Sequence, residues 1–199
     1  MATRLEQLIY YFVERVPGAG RTQLAKFLYL ADHEARRYLG KPVSDLCYRW
    51  DDFGPFDQDI LHGLNALQHN GFVEVERIAY PSGAEGYRYR STGRPMASAP
   101  AFTDAQLAIL NYVAVEFGSM PLRELLEDVV YQTRPMVDAK KRNAPGAPLR
   151  MELVDNEARQ AGLELDRVWE SWKQADRGEV RPIRKVMDEL RALHHAASC

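Results

Sequence analysis

The sequence is poor in cysteine, and it lacks both a long apolar run and an excess of one charge. Its only cysteines are Cys47 and Cys199, so a disulfide framework does not hold the fold together. No apolar stretch approaches the roughly 20 residues that a membrane-spanning helix needs. The formal net charge of −2 gives no broad attraction to nucleic acid or to a membrane surface. We therefore expect a soluble cytoplasmic protein with no membrane partner.

The common signatures of enzymes and metal sites are missing as well. The glycine-rich stretch 18–22 is not a phosphate-binding loop, because no lysine precedes its threonine and no apolar strand leads into it. The sequence has no Gly-x-Ser-x-Gly motif of a serine hydrolase. His62 and His69 share a predicted helix but lie seven residues apart, which is too far for two ligands of one metal ion. The sequence thus predicts no catalytic residue, no metal site and no cofactor, and we expect a protein that is not an enzyme.

Apolar periodicity predicts a mostly helical protein of the α+β class. Apolar residues recur at helical spacing in five segments of the first 142 residues. The predicted helices cover residues 3–16, 22–39 and 57–70, and two more begin near Thr103 and Pro121. Residues 46–50 predict a short strand that runs into a tight aromatic turn at 53–56. Two alternating segments between 72 and 91 flank a turn and predict an antiparallel β-hairpin.

A change of composition divides the chain near residue 145. The stretch 143–149, NAPGAPL, is rich in proline, glycine and alanine, and it predicts a linker. Before it we expect one helical domain, over residues 1–142, that contains the hairpin. After it, residues 150–199 predict a C-terminal helical extension whose role the sequence leaves open.

Five short motifs occur in the order and spacing of a known family. They are LAKFLYLAD at 24–32, Gly40, YRW at 48–50, GPF at 54–56 and YQTRPM at 131–136. Together they resemble the Panacea domain, also described as SocA-like or as a phage-associated protein, over about residues 20–140. In the last motif, Arg134 and Met136 stand where the family usually has histidine and tryptophan.

The resemblance implies an antitoxin, which binds and neutralises a cognate protein toxin in a toxin–antitoxin system. Partner toxins of Panacea domains are chemically varied, so the resemblance does not identify the toxin or its target. The SocA-like branch implies a variant in which the antitoxin hands its toxin to a Clp-type protease. Neither the motifs nor the composition indicates an oligomeric state.

A candidate partner-binding surface surrounds the second helix and the glycine–proline bend. Aromatic side chains on a rigid turn give a large contact area at a small entropic cost. The candidate residues are Lys26, Asp32, Trp50, Phe53, Gly54, Pro55 and Phe56. Two structural alternatives stay open for them. In the first, Trp50 and Phe56 are core residues and the bend only turns the chain. In the second, Lys26 and Asp32 form a buried or edge ion pair that fixes geometry.

A winged-helix transcriptional regulator that binds operator DNA is the alternative function. A helix that leads into a two-stranded wing is an arrangement through which such proteins meet DNA. The arginines that would contact phosphates are Arg77, Arg88, Arg90 and Arg94. Three glutamates, Glu74, Glu76 and Glu85, lie among them and weaken the basic footprint, so operator DNA is a less favoured partner than a toxin.

A hydrolase or metal site built on an acidic cluster is the third hypothesis. The cluster consists of Asp51, Asp52, Asp57 and Asp59. Acids in such a position more often cap the following helix and favour its positive N-terminal end. Cys47, in a short apolar strand, is predicted to be a small core side chain rather than a nucleophile. Catalysis therefore ranks well behind binding.

Overall fold

A computed structural model describes residues 2–79, 83, 85–96 and 102–154. Six helices and four strands lie in this described part of the chain. The helices are α1 (Arg4–Arg15), α2 (Arg21–Leu39), α3 (Asp59–His69), α4 (Asp104–Phe117), α5 (Leu122–Glu124) and α6 (Arg134–Lys141). The strands are β1 (Arg49–Asp51), β2 (Gly54–Phe56), β3 (Val73–Ala79) and β4 (Glu85–Ser91). The predicted mostly helical α+β class is confirmed.

The proposed division of the chain stays a prediction. Most of the expected extension over 150–199 lies outside the described residues, which reach Val154. None of the helices in the described part combines the length and the apolarity required to cross a membrane.

Side-chain caps set the start of two helices. The hydroxyl group of Thr3 accepts a hydrogen bond from the N–H group of Glu6 at 3.1 Å, and the Glu6 carboxylate accepts one from the Thr3 N–H group. Thr103 and Gln106 form the same reciprocal pair at the start of α4, which confirms that a helix begins near Thr103. Helix α2 ends at Gly40, whose φ of 73° is a left-handed conformation that glycine adopts without steric penalty.

Helix α2 runs through the centre of the protein. Every residue from Leu24 to Ala35 is buried, whereas a surface helix buries only one stripe. Helices α1 and α4 pack against it, and the ring centroids of Phe12 and Phe27 lie 5.6 Å apart. Because α2 is surrounded, its polar residues must find partners inside the protein.

Strands β3 and β4 form the predicted antiparallel hairpin, in which Val75 lies opposite Tyr89. Tyr89 attaches this hairpin to the loop between α1 and α2. Its carbonyl oxygen accepts a hydrogen bond from the N–H group of Gly18 at 2.8 Å, and its N–H group donates to the carbonyl oxygen of Ala19 at 3.1 Å. The hairpin therefore lies as a wing beside the start of α2.

Strands β1 and β2 form a second, smaller hairpin, which corrects the prediction of a turn over 53–56. Gly54 and Phe56 are strand residues, and Phe56 pairs with Arg49. The turn itself is Asp52-Phe53, at the tip of this hairpin. The chain then enters α3 within three residues of the end of β2.

The predicted proline-rich and glycine-rich linker lies along the outer edge of β1. The N–H group of Trp50 donates to the carbonyl oxygen of Ala147 at 3.1 Å, and that of Gly146 donates to the carbonyl oxygen of Trp50 at 2.7 Å. The N–H group of Leu149 donates to the carbonyl oxygen of Tyr48 at 2.8 Å. The segment therefore acts as a third strand of the small sheet, and the buried side chain of Leu149 anchors it.

Candidate functional site

Lys26 holds the aromatic hairpin, by which we mean residues 49–56, against helix α2. Its Nζ atom donates a hydrogen bond to the carbonyl oxygen of Pro55 at 2.6 Å. Only 1% of the residue is exposed. Burial lowers the pKa of Lys26 to about 7, and the nearby carboxylate of Asp51 opposes this shift. This buried side chain thus fastens strand β2 to helix α2.

Asp32 ties the loop after α2 back to that helix. Its carboxylate accepts hydrogen bonds from the N–H groups of Val43 and Ser44, each at 2.7 Å, and from the hydroxyl group of Ser44. It also accepts one from the hydroxyl group of Tyr48 at 2.8 Å. Burial raises the pKa of Asp32, and these hydrogen bonds oppose the rise. Because Tyr48 directly precedes β1, Asp32 positions the start of the aromatic hairpin.

The predicted ion pair between Lys26 and Asp32 is therefore wrong. The two residues lie six positions apart on α2, which exceeds the three or four positions at which helical side chains meet. Each side chain instead bonds to a different part of the chain that follows α2. Lys26 and Asp32 nevertheless hold the segments that follow α2 in place, which is the structural role that the ion-pair alternative gave them.

Gly54 allows the aromatic hairpin to approach the core closely. Its φ of 84° lies in the left-handed region that favours glycine. A Cβ atom added there would come within 3.1 Å of Cε1 of Tyr131 and within 3.6 Å of Cε of Lys26. Gly54 and Pro55 are both buried, so this half of the bend is structural.

The motif at 131–136 packs against the same region. The hydroxyl groups of Tyr29 and Thr133 lie 2.6 Å apart, and the Thr133 hydroxyl group also donates to the carbonyl oxygen of Val130 at 2.7 Å. The motif is preceded by a single π-helical turn, Leu125–Val129, a feature that often occurs at functional sites. Met136, where the family usually has tryptophan, is completely buried. The motif therefore packs against the buried side of the aromatic hairpin, where Tyr131 lies next to Gly54.

Three of the seven candidate residues present surface to solvent. Phe53, at the tip, is 62% exposed. Trp50 and Phe56 are half-buried and pack partly against the core, so each one both stabilises the fold and contributes accessible area. The alternative in which Trp50 and Phe56 are core residues is thus correct for only part of each side chain.

Two clefts flank the aromatic hairpin. The smaller, which we call the lysine cleft, has a volume of about 280 Å³, and its lining includes Arg21, Thr22, Lys26, Asp51 and Phe53. The larger, which we call the acidic cleft, has a volume of about 470 Å³, and its lining includes Arg49, Trp50, Asp57, Asp59 and Gly146. The two clefts share Asp51 but differ in their other charged groups, which are Arg21 and Lys26 in the first and Arg49, Asp57 and Asp59 in the second.

One member of the acidic cluster, Asp57, forms a turn just before α3, while the cap residue of that helix is Gln58, which makes no side-chain capping hydrogen bond. The carboxylate of Asp57 accepts hydrogen bonds from the N–H group of Cys47 at 2.6 Å and from that of Asp59 at 2.9 Å, just before α3. Among the described residues, no group of three or more histidine, cysteine or acidic side chains is placed to hold a metal ion. Cys47 is exposed, so its prediction as a core residue is wrong. Strand β1 begins only at Arg49, and the residue after Cys47, Tyr48, is the one that is buried in this segment.

The arginines of the larger hairpin are balanced by opposing acids. Arg90 lies directly opposite Glu74, and Arg88 directly opposite Glu76, so each pair shares one face of the hairpin. A diagonal ion pair of 4.0 Å joins Arg90 to Glu76. This face therefore has no excess positive charge for a phosphate backbone.

The other two candidate DNA-contacting arginines point to different surroundings. Arg77 lies opposite Tyr87 in the hairpin. Arg94 donates a hydrogen bond to the carbonyl oxygen of Asn70 at 2.9 Å, and its guanidinium group lies 5.0 Å from the ring centroid of Phe72. The structure thus does not bring the four arginines together into one basic strip.

Sequence reasoning missed Arg21 and Thr22 as site residues, because it considered them only as part of the glycine-rich stretch 18–22 and, for Thr22, as the start of a helix. Both residues belong to the first turn of α2 and line the lysine cleft. A signal was present, because Thr22 and Lys26 are four residues apart and must share one face of a helix. It also missed Gly146, which reaches the acidic cleft from a position about one hundred residues away.

Comparisons with known proteins identify one family. The family model described as "Antitoxin SocA-like, Panacea domain" matches residues 24–134, which is more than half of the chain. Comparison with curated proteins finds no match. Comparison with solved structures finds no match either. The matched range begins on α2 at Leu24 and includes both hairpins and the start of the motif at 131–136, whereas Arg21, Thr22 and Gly146 lie outside it. The chain therefore belongs to the family of SocA-like antitoxins with a Panacea domain.

Proposed function

We propose that this protein is a non-enzymatic antitoxin that neutralises a cognate protein toxin by binding it directly through the aromatic hairpin. The observation that carries the proposal is Phe53, a large apolar side chain that is 62% exposed at the tip of a firmly anchored hairpin. The family description supports the antitoxin role. The contact surface is inferred from the geometry.

The anchoring of the hairpin makes it suitable for binding. Lys26 fastens β2 from the side of α2, and the segment around Ala147 pairs with β1 on the opposite edge. A surface that is already ordered loses little conformational entropy when a partner docks. Burying an exposed phenylalanine side chain contributes about 2–3 kcal/mol, which makes Phe53 a natural centre for the interface.

The buried ionisable groups next to the hairpin support binding rather than catalysis. Asp32 accepts hydrogen bonds from four donors inside the protein and belongs to the lining of neither cleft, whereas Lys26 lines one of them. Asp57 is engaged by two backbone N–H groups. These carboxylates stabilise the fold, and the proposal requires no turnover.

Co-expression tests the proposal directly. Each protein encoded beside this gene is expressed alone, and those that stop growth are then expressed together with this protein. We expect one of them to be neutralised and to co-purify with it. The variant Phe53→Ser should weaken binding by at least about tenfold, which corresponds to about 1.4 kcal/mol.

Val115→Ser is the matched control, because Val115 is 63% exposed but lies on α4, outside the aromatic hairpin. Loss of binding in both variants, or in neither, would contradict the hairpin as the contact surface. If no neighbouring protein is neutralised, the antitoxin proposal itself fails. Toxin half-life in cells with and without Clp proteases separates simple sequestration from hand-over to a protease, which is the further variant that the family resemblance implies.

A further inference from the structure

The lysine cleft lies between the first turns of α2 and the aromatic hairpin. Its volume of about 280 Å³ lies just below the roughly 300–1,000 Å³ of pockets that hold drug-sized molecules, so it has room for one side chain. Phe53 stands at its rim and Lys26 lines its interior. The cleft therefore adjoins the most exposed aromatic residue of the proposed contact surface.

Lys26 gives this cleft an available hydrogen-bond donor. An ammonium group has three N–H donors, and the carbonyl oxygen of Pro55 accepts one of them. The side chain is 1% exposed, and burial opposes its charged form. A carboxylate that entered the cleft would favour the charged form and would form a charge-assisted hydrogen bond.

Two neighbouring residues and the N-terminal end of α2 also favour a negatively charged ligand in the cleft. Arg21 and Thr22 both line the cleft, and the guanidinium group of Arg21 also lies 5.3 Å from the ring centroid of Tyr87. Gly20, the cap of α2, has no side chain to accept a hydrogen bond from the first turn, and that turn contains no acidic residue. The positive end of the helix dipole is therefore not neutralised from within α2.

Asp51 is the one acidic side chain in the lining of the cleft. One of its carboxylate oxygens already accepts a hydrogen bond from the N–H group of Asp52 at 2.9 Å. Lys26 and Arg21 together supply two positive charges against this single negative charge when both are protonated. One further negative group would therefore neutralise the remaining positive charge of the cleft.

We infer that the lysine cleft receives a carboxylate side chain, an aspartate or a glutamate of the toxin, while Phe53 packs against apolar atoms next to it. This inference rests on the proposed antitoxin function. In this arrangement Lys26, Arg21 and Thr22 determine which toxin is bound. The inference also predicts an acidic residue at the centre of the toxin surface that contacts this protein.

Small probes test the cleft without the toxin. The full-length protein, labelled with ¹⁵N, is titrated with N-acetylglutamate and, separately, with N-acetylglutamine, which has the same shape but no charge. We expect saturable shifts of the amide signals of residues 21–26 with the acid, and binding of the amide that is at least about tenfold weaker.

Variants identify the residues that are responsible. Arg21→Gln and Thr22→Val should each weaken binding of N-acetylglutamate several-fold, whereas Arg123→Gln, an exposed arginine on α5, should not. Lys26→Met should abolish the binding. That change also removes a structural hydrogen bond, so the variant could misfold. In that case Arg21→Gln and Thr22→Val still decide the test. Absence of saturable binding, equal binding of acid and amide, or binding that is unchanged in Arg21→Gln and Thr22→Val would overturn the inference.

The outcomes also separate the two proposals. Neutralisation of a toxin without any probe binding would overturn the carboxylate inference and leave the antitoxin function standing. Probe binding in a protein that neutralises no neighbouring gene product would refute the antitoxin proposal and support the chemistry of the cleft.

Discussion

Lys26 on helix α2 and Pro55 on strand β2 are joined by a hydrogen bond of 2.6 Å between Nζ and the carbonyl oxygen. The two residues are 29 positions apart in the chain. This bond links the most buried helix to the aromatic hairpin. The position of the hairpin therefore depends in part on this side chain, and its contribution can be measured.

Lys26→Met should loosen the aromatic hairpin. The substitution keeps an unbranched side chain but leaves the carbonyl oxygen of Pro55 without its donor, which costs about 1–3 kcal/mol, partly offset because a buried charge is removed. We expect faster hydrogen exchange at Trp50 and Phe56 and little change in α4. Lys41→Met, at an exposed lysine, is the control. Unaltered exchange in the hairpin of Lys26→Met would contradict this role.

The stability of the protein should rise with pH above neutrality. The pKa of Lys26 is about 7 in the folded protein and 10.5 in its ordinary state, so between these values the unfolded chain binds more protons than the folded one. The free energy of unfolding should therefore increase by about 1 kcal/mol for each pH unit in this window. Urea denaturation at several pH values measures it.

Lys26→Met should remove that pH dependence, and a slope that persists in the variant would assign it to another group. The rise should end near the ordinary tyrosine pKa of 10.0. Burial raises the pKa values of Tyr29 and Tyr48, so above that pH the unfolded chain loses tyrosine protons first and stability falls.

Gly54→Ala should destabilise the protein by about 2–4 kcal/mol, because it combines an unfavourable positive φ with a close contact. The new Cβ atom would meet the ring of Tyr131 at 3.1 Å. Gly93→Ala is a matched control, since Gly93 also has a positive φ, of 75°, but no atom lies within 4 Å of its added Cβ. Thermal unfolding of both variants separates the contact from the backbone strain. Equal losses would show that packing against Tyr131 contributes nothing.

The larger hairpin should not bind DNA with the behaviour of a basic wing. Glu74 and Glu76 lie opposite Arg90 and Arg88, so few phosphate contacts are available. In a mobility-shift assay with the DNA upstream of this gene, we expect no specific complex at physiological salt. A salt-dependent complex that Arg88→Gln and Arg90→Gln weaken would restore the winged-helix function.

Local pattern was sufficient to predict much of the fold but not the way its parts meet. The helices and the larger hairpin follow from periodicity, because the spacing of apolar residues records which face of each element is buried. The bond between Lys26 and Pro55 and the pairing of Trp50 with Ala147 join residues far apart in the chain, and no local pattern encodes such a partner.

The candidate site was predicted as a region rather than residue by residue. The family motifs drew attention to residues that the structure divides into two groups: Gly54 and Pro55 are buried supports, whereas Phe53 is exposed. A sequence motif does not distinguish these roles, because both a support and a contact residue restrict the choice of amino acid. Burial decides between them.

The segment that follows α6 and pairs with β1 restricts the way in which another polypeptide can attach to the aromatic hairpin. Ala147 and Leu149 occupy the hydrogen-bonding groups along the free side of β1. An incoming chain therefore cannot add a strand directly to this side of β1. Recognition at the aromatic hairpin has to rely on side chains, which makes it specific to the surface shape of the partner rather than to any extended peptide.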